Sequence, residues 1–128
     1  MLLSICIPNY NRGKYLDNCL YSILLAKSFS SLKFEICISD NGSKDDTEKL
    51  IEPYKEKLNI KFSRNDKNIG AALNFLKVAS MSKSDFIWFL GDDDLLVPDA
   101  IENLTNLINK NSQCDFFWIN SSHLDISY

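Results

Sequence analysis

The chain has 128 residues, 45% hydrophobic and 24% charged, with 17 acidic against 14 basic side chains and a net charge of −3. This size and composition describe one well-filled globular domain and exclude both a disordered chain and two independent cores. The acidic balance removes the electrostatic basis for broad nucleic-acid or anionic-membrane binding. No apolar run nears the ~20 residues of a membrane span.

Met1 to Ile7 is too short, and lacks the basic flank, for a signal peptide. Leu2 to Ile7 reads instead as a buried strand ended by Pro8. Tyr15, Leu16, Cys19, Leu20, Ile23 and Leu24 then recur at helical spacing. Phe34 to Ile38 reads as a second strand, closed by the turn Asp40-Asn41-Gly42, and a polar helix is expected from about Lys44 to Leu50, stopped or kinked by Pro53. Asn59 to Phe62 is a short third strand, and Gly70 to Ala79 a helix with Ala71, Ala72, Phe75, Leu76 and Ala79 as its apolar positions. Phe86 to Leu90 is a fourth strand, apolar on both faces, and Pro98 opens a helix carrying Ile101, Leu104, Leu107 and Ile108. Asp115 to Asn120 is expected to open a fifth strand.

Strand and helix alternate throughout, which predicts an α/β, Rossmann-like domain: a mainly parallel sheet with helices on both faces. Cys6, Cys19, Cys37 and Cys114 form no C-x-x-C pair and lie in apolar segments. They read as buried free thiols in a reducing cytoplasm rather than as disulfides or zinc ligands. A peripheral place at the inner face of the cell membrane is a separate expectation.

In such sheets ligands bind beyond the carboxyl ends of the strands. That rule selects three loops: Pro8 to Arg12, Asp40 to Thr47, and Gly91 to Pro98. Asp92, Asp93 and Asp94 follow an apolar strand in succession, and their repulsion would be relieved by a divalent cation, with hard oxygen ligands suiting Mg2+ or Mn2+. The competing reading is an acidic turn capping the next helix. In the second loop Asn41-Gly42 suits a positive-φ turn, and Ser43 or Asp45 suits a helix cap. Asp40 ends its strand, is not needed for that cap, and is placed to accept a hydrogen bond from a base N–H such as uracil N3–H. In the first loop Tyr10 suits packing on a base and Arg12 suits a phosphate. No G-x-G-x-x-G and no G-x-x-x-x-G-K-[ST] is present, so phosphate charge would fall to the metal. A phosphoacceptor receiver would need acids after the first strand and a lysine after the fifth, and Pro8-Asn9-Tyr10 and Asn120-Ser121 supply neither.

Four stretches, in order, resemble the nucleotide-sugar-binding half of family 2 glycosyltransferases of the GT-A fold: Ser4 to Arg12, Ser39 to Thr47, Asn68-Ile69-Gly70, and Trp88 to Pro98. The resemblance implies transfer of a sugar from a nucleoside-diphosphate sugar, a UDP-sugar first among them, to a hydroxyl of a glycan or lipid-linked acceptor, with inversion, in polysaccharide or cell-surface glycan synthesis. It implies that Pro8, Asn9, Tyr10, Arg12, Asp40, Asn41, Gly70, Asn74, Asp92 and Asp93 bind the donor, with Asp40 on the base. It gives Asp92 and Asp93 the ribose and a Mn2+ or Mg2+ ion, with Asp94 as a further metal ligand. Many members carry Leu-Asp-x-Asp-Asp where this chain reads Leu90-Gly91-Asp92-Asp93-Asp94, a form similar to that of O-antigen and capsule sugar transferases, which moves most of the weight to Asp93. The family's Ala-Arg-Asn after Gly70 is reduced to Asn74.

Residues 1–128 therefore read as a single donor-binding domain, with the acceptor-binding part and general base expected downstream. His123, the only histidine, is read as packing or a surface residue rather than that base. The competing reading is a non-catalytic α/β module that binds a nucleotide or a protein.

Overall fold

The computed structural model describes residues 1–123. Its elements are β1 (Leu3–Asn9), α1 (Gly13–Ser28), β2 (Phe34–Asp40), α2 (Thr47–Lys55), β3 (Ile60–Arg64), α3 (Ala71–Ser80), β4 (Phe86–Phe89) and α4 (Ala100–Lys110). The four strands form one sheet in the order β3-β2-β1-β4, every pair parallel. The expected α/β class and parallel sheet are thus found.

Alternation along the two central strands divides the interior. Leu3, Ile5 and Ile7 of β1 and Ile36 and Ile38 of β2 belong to the main core, packed with Leu16, Leu20 and Ile23 of α1, Ile51 of α2, and Ile101, Leu104 and Ile108 of α4. The intervening residues Cys6 and Cys37 meet Val78 of α3 in a separate small cluster. Helices therefore cover both faces, with α3 alone on the second among the described residues.

That second face is polar at both ends. At the amino end of the strands Glu35 is fully buried, and its carboxylate accepts from Ser4 Oγ at 2.6 Å and the Lys83 backbone N–H at 2.8 Å, with Lys61 Nζ at 2.5 Å. Burial pushes this carboxyl up, but Lys61, Ser4 and Lys83 outweigh it and hold Glu35 below its usual range. At the carboxyl end of that face the Ser39 hydroxyl donates to Asn74 Oδ1 of α3 at 2.7 Å, whereas Asn9, Asp40 and Arg64 lie abreast on the main-core face.

Several boundaries and one element differ from the sequence expectation. Asp115 to Asn120 does not form a fifth strand: the side chains of Phe116 and Trp118 are exposed, and only Phe117 reaches the sheet, edge-on to Phe86 at 5.9 Å. The outer edge of β4 is thus left without a strand among the described residues, where β4 hydrogen-bonds only to β1. β4 is apolar on both faces as read, yet Ile87 and Phe89 are exposed. The second helix starts at Thr47 rather than Lys44, because Asp45 accepts from the Thr47 N–H and hydroxyl and sets the first turn. Pro53 lies inside α2, which runs on to Lys55. Pro98 precedes α4 instead of opening it, with Asp99 at the N-cap. Cys6, Cys19 and Cys37 are buried free thiols, but Cys114 is exposed.

Candidate active site

A strand order of β3-β2-β1-β4 makes β1 the point where successive connections diverge, to β2 on one side and β4 on the other. Parallel sheets open a crevice at such a point. The loops after β1, β2 and β4 all end there, as the sequence predicts.

The β1 loop is tied to the β2 loop by backbone and side-chain bonds. Asn11 takes a left-handed conformation, φ 50°, which asparagine tolerates. Its N–H donates to Ser43 Oγ at 2.8 Å, and its Oδ1 accepts from the Lys44 N–H at 2.8 Å. The Gly13 N–H donates to Asp45 Oδ2 at 2.8 Å. These bonds and those from Thr47 outweigh the cost of burial and lower the Asp45 pKa.

Asp40 is buried at the end of β2. Its Oδ1 accepts from Asn9 Nδ2 at 3.0 Å and, at very short range, from the Ser43 hydroxyl; its Oδ2 accepts from the Ser43 N–H at 3.1 Å and faces Arg64 Nε at 3.8 Å. Among the described residues Asp40 makes no bond to the start of α2, and its carboxylate organises the turn that closes β2. Arg64 also donates to the Ser43 carbonyl at 2.5 Å, clamping the loop from β3.

Asn41 and Asn74 join a chain of amides that the sequence reading did not assemble. Asn41 Oδ1 accepts from Asn65 Nδ2 and the Ile69 N–H, both at 2.9 Å, and Asn41 Nδ2 donates to Asn68 Oδ1 at 2.9 Å. Asn74 Oδ1 accepts from Ser39 Oγ at 2.7 Å and Asn65 Nδ2 at 3.1 Å, while its Nδ2 donates to the Ser39 carbonyl at 2.9 Å. Asn74 is thus buried against the sheet as a support for the 65–70 loop. Gly70, at φ 88°, supplies the turn that starts α3. The run Arg64-Asn65-Asp66-Lys67-Asn68 was the available sequence signal, but amide partners depend on the spacing between strands, which composition does not give.

The β4 loop separates its three carboxylates. Asp94 N–H donates to the Gly91 carbonyl at 3.1 Å, and Asp94 Oδ2 accepts from the Gly91 N–H at 3.0 Å, closing a tight turn. A Cβ on Gly91 would lie 2.8 Å from that carboxylate, so a side chain there would require Asp94 to shift. Asp94 therefore points back into its own loop. Asp92, buried, and Asp93, exposed, both face Arg12 Nη1, at 3.5 Å and 3.2 Å. Burial raises the Asp92 pKa to about 6, with Arg12 opposing and Asp93 adding to the rise. Burial, and then Asp94, Asp92 and Asp93, keep the Cys19 thiol protonated beneath the loop.

The three acids do not form the expected three-carboxylate metal cluster: among the described residues no three His, Cys, Asp or Glu side chains gather in such a site. Asp92 and Asp93 nevertheless already hold a positive group between them, and one or two carboxylates suffice for Mg2+ when substrate phosphates complete its shell. Those two residues fit a divalent cation, and Asp94 as placed does not.

Pro8 is partly buried, and Tyr10 is exposed at the crevice rim. His123 is exposed and in no strand; it lines, with Asp93, Asp94 and Tyr15, an open groove of about 980 Å³.

Residues 4–122 match the family described as Glycosyl transferase family 2. The chain is 41% identical over 119 residues to abequosyltransferase RfbV of Salmonella typhimurium, covering 91% of this chain and 35% of that protein. It is 38% identical over 103 residues to chondroitin synthase of Escherichia coli, covering 79% of this chain and 14% of that one. In three dimensions it resembles Staphylococcus aureus TarS 1-349 in complex with UDP-GlcNAc, with a TM-score of 0.79, 25% identity, and coverage of 88% of this chain and 32% of TarS 1-349. The fold is of the GT-A type. The chain belongs to glycosyltransferase family 2, and it spans about a third or less of the length of these relatives. Among the described residues no helix is long and apolar enough to cross a membrane.

Proposed function

We propose that this chain is the donor-binding part of an enzyme that transfers a sugar from a nucleoside-diphosphate sugar, in the first instance a UDP-sugar, to a hydroxyl of a glycan or lipid-linked acceptor with inversion. The observation that carries this reading is the meeting of Arg12, Asp92 and Asp93 at the divergence of β1 and β4, beside the Asp40 turn. One crevice thus offers cation and anion chemistry together with a buried carboxylate suited to a base N–H. The relative TarS, crystallised with UDP-GlcNAc, supports the choice of uridine.

In this reading Asp92 and Asp93 hold Mn2+ or Mg2+, and the bound ion stabilises the charge of the departing diphosphate as a Lewis acid. Pro8 and Tyr10 flank the base. Asp40 Oδ2, whose second acceptor direction meets only the long contact to Arg64, takes the base N–H. Asn9 fixes the rotamer of Asp40, while Asn41, Gly70 and Asn74 hold the adjoining wall in shape. A general base must come within ~3 Å of the acceptor hydroxyl, and we assign that role to none of the residues described.

Calorimetry of the chain with UDP, GDP, CDP and dTDP, with and without Mn2+, tests the proposal. UDP should bind, and more tightly with Mn2+. Failure of all four to bind would refute the reading and leave a non-catalytic module.

A further inference from the structure

Arg12 occupies a position that its own helix does not favour. It is the N-cap of α1, whose first turn carries no acidic residue, and the positive end of a helix dipole repels a cation. Its backbone has little freedom to leave. Asn11 on one side and Gly13 on the other are bonded to Ser43, Lys44 and Asp45, and the Arg12 carbonyl accepts the first helical bond from the Leu16 N–H at 2.9 Å. What compensates is the pair of carboxylates 80 and more residues away, with one nitrogen, Nη1, facing both. Among the described residues no other cation is paired with Asp92 or Asp93.

We infer that Arg12 is a built-in counter-cation for Asp92 and Asp93, which a divalent metal ion must displace in order to bind. The inference rests on the donor-binding reading above. Two positive groups cannot share the same two carboxylate oxygens at these distances without strong repulsion. Metal entry therefore requires the guanidinium to swing out, and the half-exposed side chain has room to do so. Before the exchange the guanidinium offsets one of the two carboxylate charges in the empty crevice. It also makes the bare protein a weak metal binder, so that occupancy depends on the additional ligands brought by a diphosphate.

The test is a Mn2+ titration of the 128-residue chain without nucleotide, followed through the paramagnetic resonance signal of free Mn2+. Arg12→Gln should bind Mn2+ about fivefold more tightly than the natural chain, the scale of one partly exposed ion pair. Lys55→Gln makes the same change in net charge at the remote Glu52 pair and should leave the affinity unchanged. An Arg12→Gln affinity equal to or weaker than that of the natural chain overturns the inference, as does equal tightening by Lys55→Gln or no Mn2+ binding to any of the three proteins. UDP titrations in saturating Mn2+ separate this from the reading beneath it. Natural chain that binds UDP while Arg12→Gln leaves Mn2+ affinity unchanged refutes the counter-cation alone. Tighter Mn2+ binding by Arg12→Gln in a chain that never binds UDP refutes the donor-binding reading alone.

Discussion

Asp93 and Asp92 are neighbours in sequence with different surroundings, and they should respond differently to substitution. Asp93 is about half exposed, so Asp93→Asn should leave the melting temperature nearly unchanged while removing most of the Mn2+-dependent part of UDP binding by calorimetry. Asp92 is buried with its pKa raised, so its charge opposes folding at neutral pH, and Asp92→Asn should raise the melting temperature while also lowering the Mn2+-dependent binding. Asn9 presents a further contrast: its Nδ2 donates to Asp40 while its buried Oδ1 has no partner among the described residues. Asn9→Ala removes a donor from a buried carboxylate and should cost about 1–3 kcal/mol in urea denaturation. The candidacy of Asp92 and Asp93 was legible because successive carboxylates after an apolar strand need a compensating charge. The different fate of Asp94 was not, because it follows from a turn closed by the Gly91 N–H.

At the level of elements, the strands and helices followed from continuous apolar runs and 3.6-residue stripes, and the core faces emerged as the period-two pattern requires. Ends were less readable. β3 continues through Ser63 and Arg64, polar residues that apolar pattern excludes, because their backbone pairs with Ser39 and Asp40. The start of α2 depends on Asp45, which lies just before the N-cap Asp46 and serves two elements at once by accepting from the Thr47 N–H and holding Gly13 at the start of α1. Asp45→Ala should therefore destabilise the chain by about 1–2 kcal/mol in thermal or urea unfolding, at the upper end of a simple cap loss. The amide chain through Asn41, Asn65 and Asn74 joins the β2 loop, the 65–70 loop and α3. Asn74→Ala leaves the Ser39 carbonyl and Asn65 amide short of partners, and its effect should be seen as faster amide hydrogen exchange in both α3 and the 65–70 loop.

For the whole molecule, the buried Glu35 sets an acid limit on stability. Its folded pKa lies below the unfolded one, so its contribution is complete above the ordinary carboxyl value and is lost as pH falls through the lowered value. Lys61 has the opposite sense: Glu35 raises its pKa, and its contribution is lost only as pH rises through that raised value. Melting temperatures measured from neutral pH into the acid range should fall, and Glu35→Gln should flatten that fall while lowering the neutral plateau. An unchanged slope would remove Glu35 from the account.

The order of the strands also has a consequence for how the molecule forms. β2 and β3 add to β1 by successive short crossovers, whereas β4 must return across the intervening chain to the far edge of β1. Such distant closures carry the larger entropic cost and tend to come late in folding. Arg12 and Asp93, 81 positions apart, come together only through that closure. Cation affinity is therefore a property of the fully wound chain, and its appearance during refolding would time the last strand's arrival.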